Sequence, residues 1–426
     1  MHARAPVDVV IVGGRPAGAS LAARLGARGL RVVVLERAAG PSHPAVPSSP
    51  VIYPSAMGEL DALGVSEDRY AHDAARMTRF TFAFAGAFTT SMDLPWMWGR
   101  DYLYGLDRAS FDEVLWQHAA ACSTVSLRRS FSVRDLLRDD HGRVCGVVGA
   151  ARGGPEERIH ARCVVGADGR FSLVARKAGA RVTDEEARCV STVYFAEWEG
   201  VAPFAPGPPA GHVHTTGRGL DVLFFAMPDG RTSINTHARA DRVEIHGDAQ
   251  AYYLDTLRGQ PEIAPRLAGA RQVTELRGVK RVGNGYRTPS GPGWALVGDA
   301  AHYKDPVDGQ GIYDALVGAR LLDGALAAAL SGEASWEEAM EGYRRALLDA
   351  TRDMYRETVG RLRRELYQAP PAFVARTLIR WMMTDPHYQS RFMRYLGREI
   401  SPRGWNSPAV VGAAVLRGIW RDLRGA

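Results

Sequence analysis

Three glycine-bearing turns, far apart in the chain, carry residue types that bind and use a dinucleotide. The first, Gly13-Gly14-Arg15-Pro16-Ala17-Gly18, joins an apolar run at 7–12 to a helical pattern at 17–28. Such a turn needs Gly13 to bend sharply and Gly18 to let helix and strand pack closely, while the positive start of the helix, with Pro16 where a missing N–H costs nothing, attracts a pyrophosphate. Glu36 closes the next strand, 31–35, at the spacing where a carboxylate accepts both ribose hydroxyls of an adenosine, with Arg37 beside it. The middle position, usually glycine, is Arg15. Either its side chain swings out and adds a cation to the phosphates, or the dinucleotide is bound differently.

The second turn, Gly166-Ala167-Asp168-Gly169-Arg170, follows a short apolar strand at 163–165, and on its own an Asp-Gly turn is common. The third begins where the strand 294–297 ends in Gly298-Asp299 and continues through His302-Tyr303-Lys304-Asp305-Pro306 to Gly309-Gln310-Gly311-Ile312 and a helix. Asp299 is placed to accept from a ribityl hydroxyl, and 309–312 offer free N–H groups and a positive helix end to a flavin pyrimidine or a phosphate. His302 is either an acid/base near the flavin or a satisfied neighbour. Asp305 either touches substrate or forms a solvated pair with Lys304.

In this order the three motifs resemble the flavoprotein monooxygenases related to para-hydroxybenzoate hydroxylase, a superfamily that also holds flavin-dependent halogenases and geranylgeranyl reductases. The resemblance spans roughly residues 5–335. It implies that Gly13, Gly14, Arg15, Pro16, Ala17, Gly18, Glu36, Arg37 and Arg108 serve the ADP half of FAD. It further implies that Asp168 and Gly169 touch FAD and NAD(P)H, that Gly298 and Asp299 hold the ribityl chain, and that Pro306, Gly309, Gln310, Gly311 and Ile312 lie beside the isoalloxazine. His302, Asp305 and Pro306 are the candidate catalytic residues. The stretch Gly298-Asp-Ala-Ala-His-Tyr-Lys-Asp-Pro306 is more similar to a bacterial branch of poorly defined oxidoreductases than to the phenol hydroxylases. The halogenase Trp-x-Trp-x-Ile-Pro motif is absent, because Trp96-Met97-Trp98 runs into Gly99-Arg100.

The expected activity is therefore an FAD-dependent monooxygenase that hydroxylates or epoxidises a hydrophobic small molecule of specialised metabolism through a flavin C4a-hydroperoxide. Its partners would be molecular oxygen and NADPH or NADH, the nicotinamide bound transiently because no second fingerprint exists, or a separate reductase. A flavin-dependent dehydrogenase or ene-reductase of the geranylgeranyl reductase type is the alternative, and a non-catalytic flavoprotein the third reading. Flavin does the hard chemistry in all but the last, so the protein must bind, orient and keep water out.

These sites must be positioned by an α/β fold: a Rossmann-like FAD-binding domain, a mixed or antiparallel β-sheet substrate domain and a C-terminal helical segment. Strand, helix and strand follow one another in about thirty residues at the start, and several β runs separated by Gly/Pro turns occupy 189–238. The expected division is 1–77, 100–188 and 275–335 for the FAD-binding domain, 78–99 and 189–274 for the substrate domain, and 336–426 for the helical region. A loop at 41–54 is expected across the cofactor. Tyr53, Trp96, Trp98, Tyr102, Tyr104, Phe224 and Phe225 either line a substrate pocket or fill a core. The stretch around Phe373, Leu378 and Trp381 reads as a basic amphipathic helix, packed across the back of the flavin lobe or lying on a membrane surface.

At 426 residues, with 46% hydrophobic and 23% charged residues, the chain has room for two lobes and a large cofactor. Its net charge of +6 comes almost wholly from arginine, lysine occurring only at Lys177, Lys280 and Lys304. No basic stripe interleaved with aromatics points to nucleic acid. Cys122, Cys145, Cys163 and Cys189 have no metal-ligand spacing and read as small buried residues in a reducing cytoplasm. No signal peptide and no transmembrane run is expected, no metal is implied, and the oligomeric state is left open.

Overall fold

An apolar run without alternation belongs in a strand with neighbours on both edges and helices on both faces. The computed structural model, which describes residues 7–40, 49–243, 245, 247–368 and 370–424, places β1 (Val7–Val12) in that position. β1 pairs in parallel with Glu156–Gly166 on one side and with β2 (Val32–Leu35) on the other, and Val9, Val10 and Ile11 are fully buried. The parallel ladder continues outward to Trp294–Leu296 past Glu156–Gly166 and to Val125–Arg128 past β2. Register is the informative feature: Val12 lies opposite Gly166 and Leu35, and Gly166 lies opposite Leu296. All three motif turns therefore leave the sheet at its carboxyl edge on adjacent strands, the place where open α/β sheets bind their ligands.

Helix α1 (Pro16–Ala27) packs on this sheet beside Gly311–Ser331, and Leu21, Leu25, Leu322 and Leu326 join the strands in one core. Trp336–Leu362 follows, started by a reciprocal capping box between Ser335 and Glu338. Of the loop expected at 41–54, residues 41–48 lie outside the described residues.

Among the described residues the second sheet has nine strands and is mostly antiparallel. Its centre is the 18-residue strand Val182–Glu199, which runs across position 188 and pairs with Thr232–Arg239 on one edge and Arg277–Arg287 on the other. Strict alternation sorts its side chains. Tyr194, Trp198, Phe224 and Ile234 face the helix Ala249–Arg258, while Phe80, Phe82, Val213, Leu223 and Phe225 face the opposite way.

That second apolar face decides where the C-terminal region goes. Met383, Tyr388, Phe392, Met393 and Trp405 share a cluster with Phe80, Phe82 and Phe225, so Pro386–Leu396 and Pro408–Leu423 cover the β lobe. The expectation that the stretch around Phe373 packs across the back of the flavin lobe is corrected accordingly. Phe80, Phe82 and Phe225 on that sheet face are apolar surface whose burial is worth about 25 cal/mol per Å². The helix expected there runs without a break from Ala372–Val374 through a π-helical turn at Ala375–Ile379 to Arg380–Met383.

Candidate active site

At the first turn, Gly13 has φ +100°, and a Cβ added there would sit 2.5 Å from the carbonyl oxygen of Ala167, in the second motif. A side chain at Gly18 would meet the Gly13 carbonyl oxygen at 1.9 Å. The first and second turns thus touch backbone to backbone, which only glycine permits. Arg15 precedes α1 in extended conformation, and no side chain caps the helix start. Arg15 is partly buried, which lowers its pKa, and lies in the field of Asp112, Glu36, Arg108 and Arg37. Three cations are gathered where α1 presents unpaired N–H groups.

Glu36 is buried, and its carboxylate accepts from the N–H of Gly14 at 2.9 Å and of Ala38 at 3.0 Å. Each oxygen keeps a further lone pair. Arg108 opens the helix Arg108–Ala120 and pairs with Asp112 at 3.0 Å.

Asp168 is placed differently from a free ligand. Its carboxylate accepts from the Ser172 hydroxyl at 2.5 Å and from the N–H groups of Leu173 and Val174 at 2.7 and 3.1 Å, holding the start of Leu173–Ala178. Its neighbour Arg170 reaches across instead, donating to the carbonyls of Gly283 and Lys304 at 2.7 Å each.

At the third turn Asp299 lies near Arg170, Lys304 and Arg108, and burial raises its pKa. No described residue is seen to hydrogen-bond its carboxylate. Asp305, by contrast, is 1% exposed and fully engaged: one oxygen accepts from Val307 N–H at 3.0 Å, the other from the Ser191 hydroxyl, and its own N–H donates to Asn284 at 2.7 Å. This opens the 3₁₀ turn Pro306–Asp308 and fixes Pro306. His302 is stacked on Tyr286, with ring centroids 4.1 Å apart, and lies edge-on to Tyr355. Burial, then Lys304, pushes its pKa down to about 3, so it is neutral at physiological pH.

Two pairings lacked any local signal. Asp314 contacts Lys304 and accepts from Arg398 at 2.7 Å, and although burial alone would raise its pKa, those two cations hold it below the usual carboxylate range. Arg398 also donates to Gln310 at 2.8 Å, and Gln310 donates to the Leu396 carbonyl at 2.9 Å. The C-terminal region therefore grips the start of Gly311–Ser331. Arg398 itself has positive φ, +59°.

The aromatic candidates divide. Tyr53 and Phe225 share the apolar cluster facing the third loop, whereas Phe224 lies on the opposite sheet face. Tyr102 and Tyr104 donate to Glu67, Trp98 is half-exposed and donates to the Gly397 carbonyl, and Trp96 is 65% exposed.

These residues fit FAD on their own chemistry. The starts of α1 and Gly311–Ser331 carry no side-chain cap, Asp299 stands without a hydrogen-bond donor beside cations, and a Cβ on Gly311 would meet nothing within 4 Å. An anionic diphosphate suits the first helix start and a hydroxylated chain suits Asp299. Among the described residues no helix is long and apolar enough to cross a membrane, and no group of three or more His, Cys, Asp or Glu side chains could hold a metal ion.

Comparison with known proteins gives the family. The family described as FAD binding domain matches residues 6–358, and the chain belongs to it. The chain is 26% identical over 357 residues to the 3-demethoxyubiquinol 3-hydroxylase of Escherichia coli K12, covering 79% of this chain and 83% of that one. It is 28% identical over 334 residues to the menaquinone reductase of Mycolicibacterium smegmatis, covering 73% and 74%. The structure of the myxobacterial chondrochloren halogenase CndH superposes with a TM-score of 0.76 at 23% identity over 97% of each chain, a likeness of fold. The protein is thus an FAD-dependent oxidoreductase of the monooxygenase and hydroxylase superfamily, with the expected Rossmann-like α/β fold.

Proposed function

We propose that this enzyme is a monooxygenase that hydroxylates or epoxidises a hydrophobic small molecule, using FAD, molecular oxygen and NADH or NADPH. In this reading Gly13 to Gly18, Glu36, Arg37 and Arg108 hold the ADP half, Gly298 and Asp299 the ribityl chain, and Pro306 with Gly309 to Ile312 the ring system. Asp168, Gly169 and Arg170 fasten the second turn against both. When bound, FAD supplies two-electron redox chemistry and the activation of oxygen.

The observation that carries the reading is the apolar wall against the third loop. A Cβ on Gly309 would meet Val51 at 2.7 Å and Tyr53 at 3.2 Å, and both belong to the cluster of Phe80, Phe82, Leu223 and Phe225. A reactive oxygen species at that loop would be kept from bulk water, and an apolar substrate would be held there. Asp305 keeps Pro306 in place, while neutral His302 can hold a proton acceptor but carries no positive charge. The matched menaquinone reductase favours a second reading, a flavin reductase acting on an apolar acceptor.

Oxygen uptake during substrate-dependent NAD(P)H oxidation separates the two. The proposal expects labelled oxygen from O₂ in the product and no product without oxygen. Turnover under strict anaerobiosis would establish the reductase instead.

A further inference from the structure

Charge is unevenly placed along this chain. Residues 370–426 contain nine arginines against Asp385, Glu399 and Asp422, so this last segment holds the whole net charge of +6. It also holds five of the nine large apolar side chains that are open to solvent among the described residues: Phe373, Leu378, Leu416, Trp420 and Leu423.

The helix Pro408–Leu423 is apolar on two faces. Val410, Val411 and Ala414 turn inward to the cluster on the β lobe, and a Cβ on Gly418 would meet Trp381 at 2.3 Å. Leu416, Trp420 and Leu423, spaced i, i+4 and i+7, form an outward stripe at 68%, 56% and 79% exposure. Arginines flank it: the Arg424 guanidinium lies over the Trp420 ring, 3.2 Å from its centroid, and Arg417 is held by Asp385 at 2.7 Å. A groove of about 600 Å³ separates Leu416 and Trp420 from Pro386 and His387.

We propose that this stripe and its arginine flank dock on the surface of an anionic phospholipid bilayer, the apolar side chains entering the acyl boundary and the guanidinium groups meeting lipid phosphates. Charge selects this occupant. A second copy of the chain would set one +6 segment against another, and a neutral apolar partner would leave Arg424, which lies on Trp420 and meets no carboxylate among the described residues, without counter-charge, Arg417, Arg421 and Arg380 being held by Asp385 and Asp422. The helix lies on the membrane and does not cross it, in keeping with its length and charge. Its inner side shares the apolar cluster with Tyr53 and Phe225, so a membrane-dissolved substrate would arrive beside the site. That last step rests on the monooxygenase reading; the docking does not.

The test is co-sedimentation of the full-length flavoprotein with vesicles of phosphatidylcholine alone or mixed with phosphatidylglycerol. Binding to the mixed vesicles is expected, weakening as salt rises and blue-shifting tryptophan emission. Trp420→Ser should weaken it about tenfold, and Leu416→Ser, Trp420→Ser and Leu423→Ser together should abolish it, with FAD content and circular dichroism unchanged because all three side chains are exposed. Equal binding by the triple variant, or no vesicle binding by the parent chain, overturns the proposal. So does a concentration-dependent dimer that the triple variant loses while vesicles bind neither form. Loss of oxygenase activity with retained vesicle binding would count against the substrate reading alone.

Discussion

Arg287 donates to the backbone carbonyl of Arg170 at 2.6 Å and, from its other terminal nitrogen, to the carbonyl of Ala300 at 2.9 Å. One guanidinium thus ties the second motif to the third. Arg170 reciprocates by donating to the carbonyl of Lys304. The convergence of these turns is enforced by two planar cations bonded to main-chain oxygen, as well as by strand register.

Replacing this tie should loosen both turns together. Arg287→Ala is expected to cost about 2–4 kcal/mol, since it strands buried carbonyls, and to reduce FAD content. Arg287→Lys should restore little, because an ammonium cannot span the same carbonyls. Thermal unfolding and the flavin absorbance of the purified variants measure both; unchanged values in Arg287→Ala would remove the tie from the argument.

Asp299 should behave oppositely in stability and in cofactor binding. Burial raises its folded pKa, so the folded chain holds the proton more tightly than the unfolded chain, and stability falls as pH rises from the unfolded carboxylate value through the raised one. Asp299→Asn without cofactor is expected to be at least as stable as the parent at neutral pH, yet to bind FAD about tenfold or more weakly. Chemical denaturation of the apoprotein and flavin titration read the two halves. Parental FAD affinity in the variant would count against the ribityl assignment.

His302 predicts acid sensitivity. Its folded pKa of about 3 lies below the ordinary value of 6.5, so the unfolded chain takes up a proton that the folded chain refuses, and stability is lost as pH falls below 6.5 towards 3. His212, likewise pushed down to about 3 by burial and by Arg266, adds to the slope. His302→Phe should flatten it by about 1.4 kcal/mol per pH unit at most. Denaturant unfolding at successive pH values checks this, and an unaltered slope would mean that the ring is charged or solvated.

Much of this site was legible because each motif is local. Gly13 and Gly18 declare their close backbone approach through spacing along a strand, turn and helix, and the parallel sheet then has little freedom in where it puts the motif turns. Chemistry that depends on distant partners was not legible. Resemblance put Asp168 against the cofactor, and Asp305 read as touching substrate or pairing with Lys304, yet both are taken up by N–H groups and hydroxyls, many of them a few residues on. Arg287 sits in an alternating strand with nothing to distinguish it, and Arg398 meets Asp314 across 84 residues of chain. The aromatics divided by strand parity: Phe224 and Phe225 are adjacent in sequence and face opposite cores.

The strand Val182–Glu199 has a mechanical consequence. It begins beside Tyr286 and Arg287, next to the cofactor loop, and ends beyond Trp198, deep in the other lobe, with hydrogen-bonded neighbours at both ends. Its register against Arg277–Arg287 is interrupted between Thr183 and Val193, where Asp184 has φ +50°, so bending between its two ends is confined to that stretch while hydrogen-bonded pairs hold on either side. On its flank the chain after Trp336–Leu362 is fastened through side chains, as the Tyr367 hydroxyl is to the Val190 backbone.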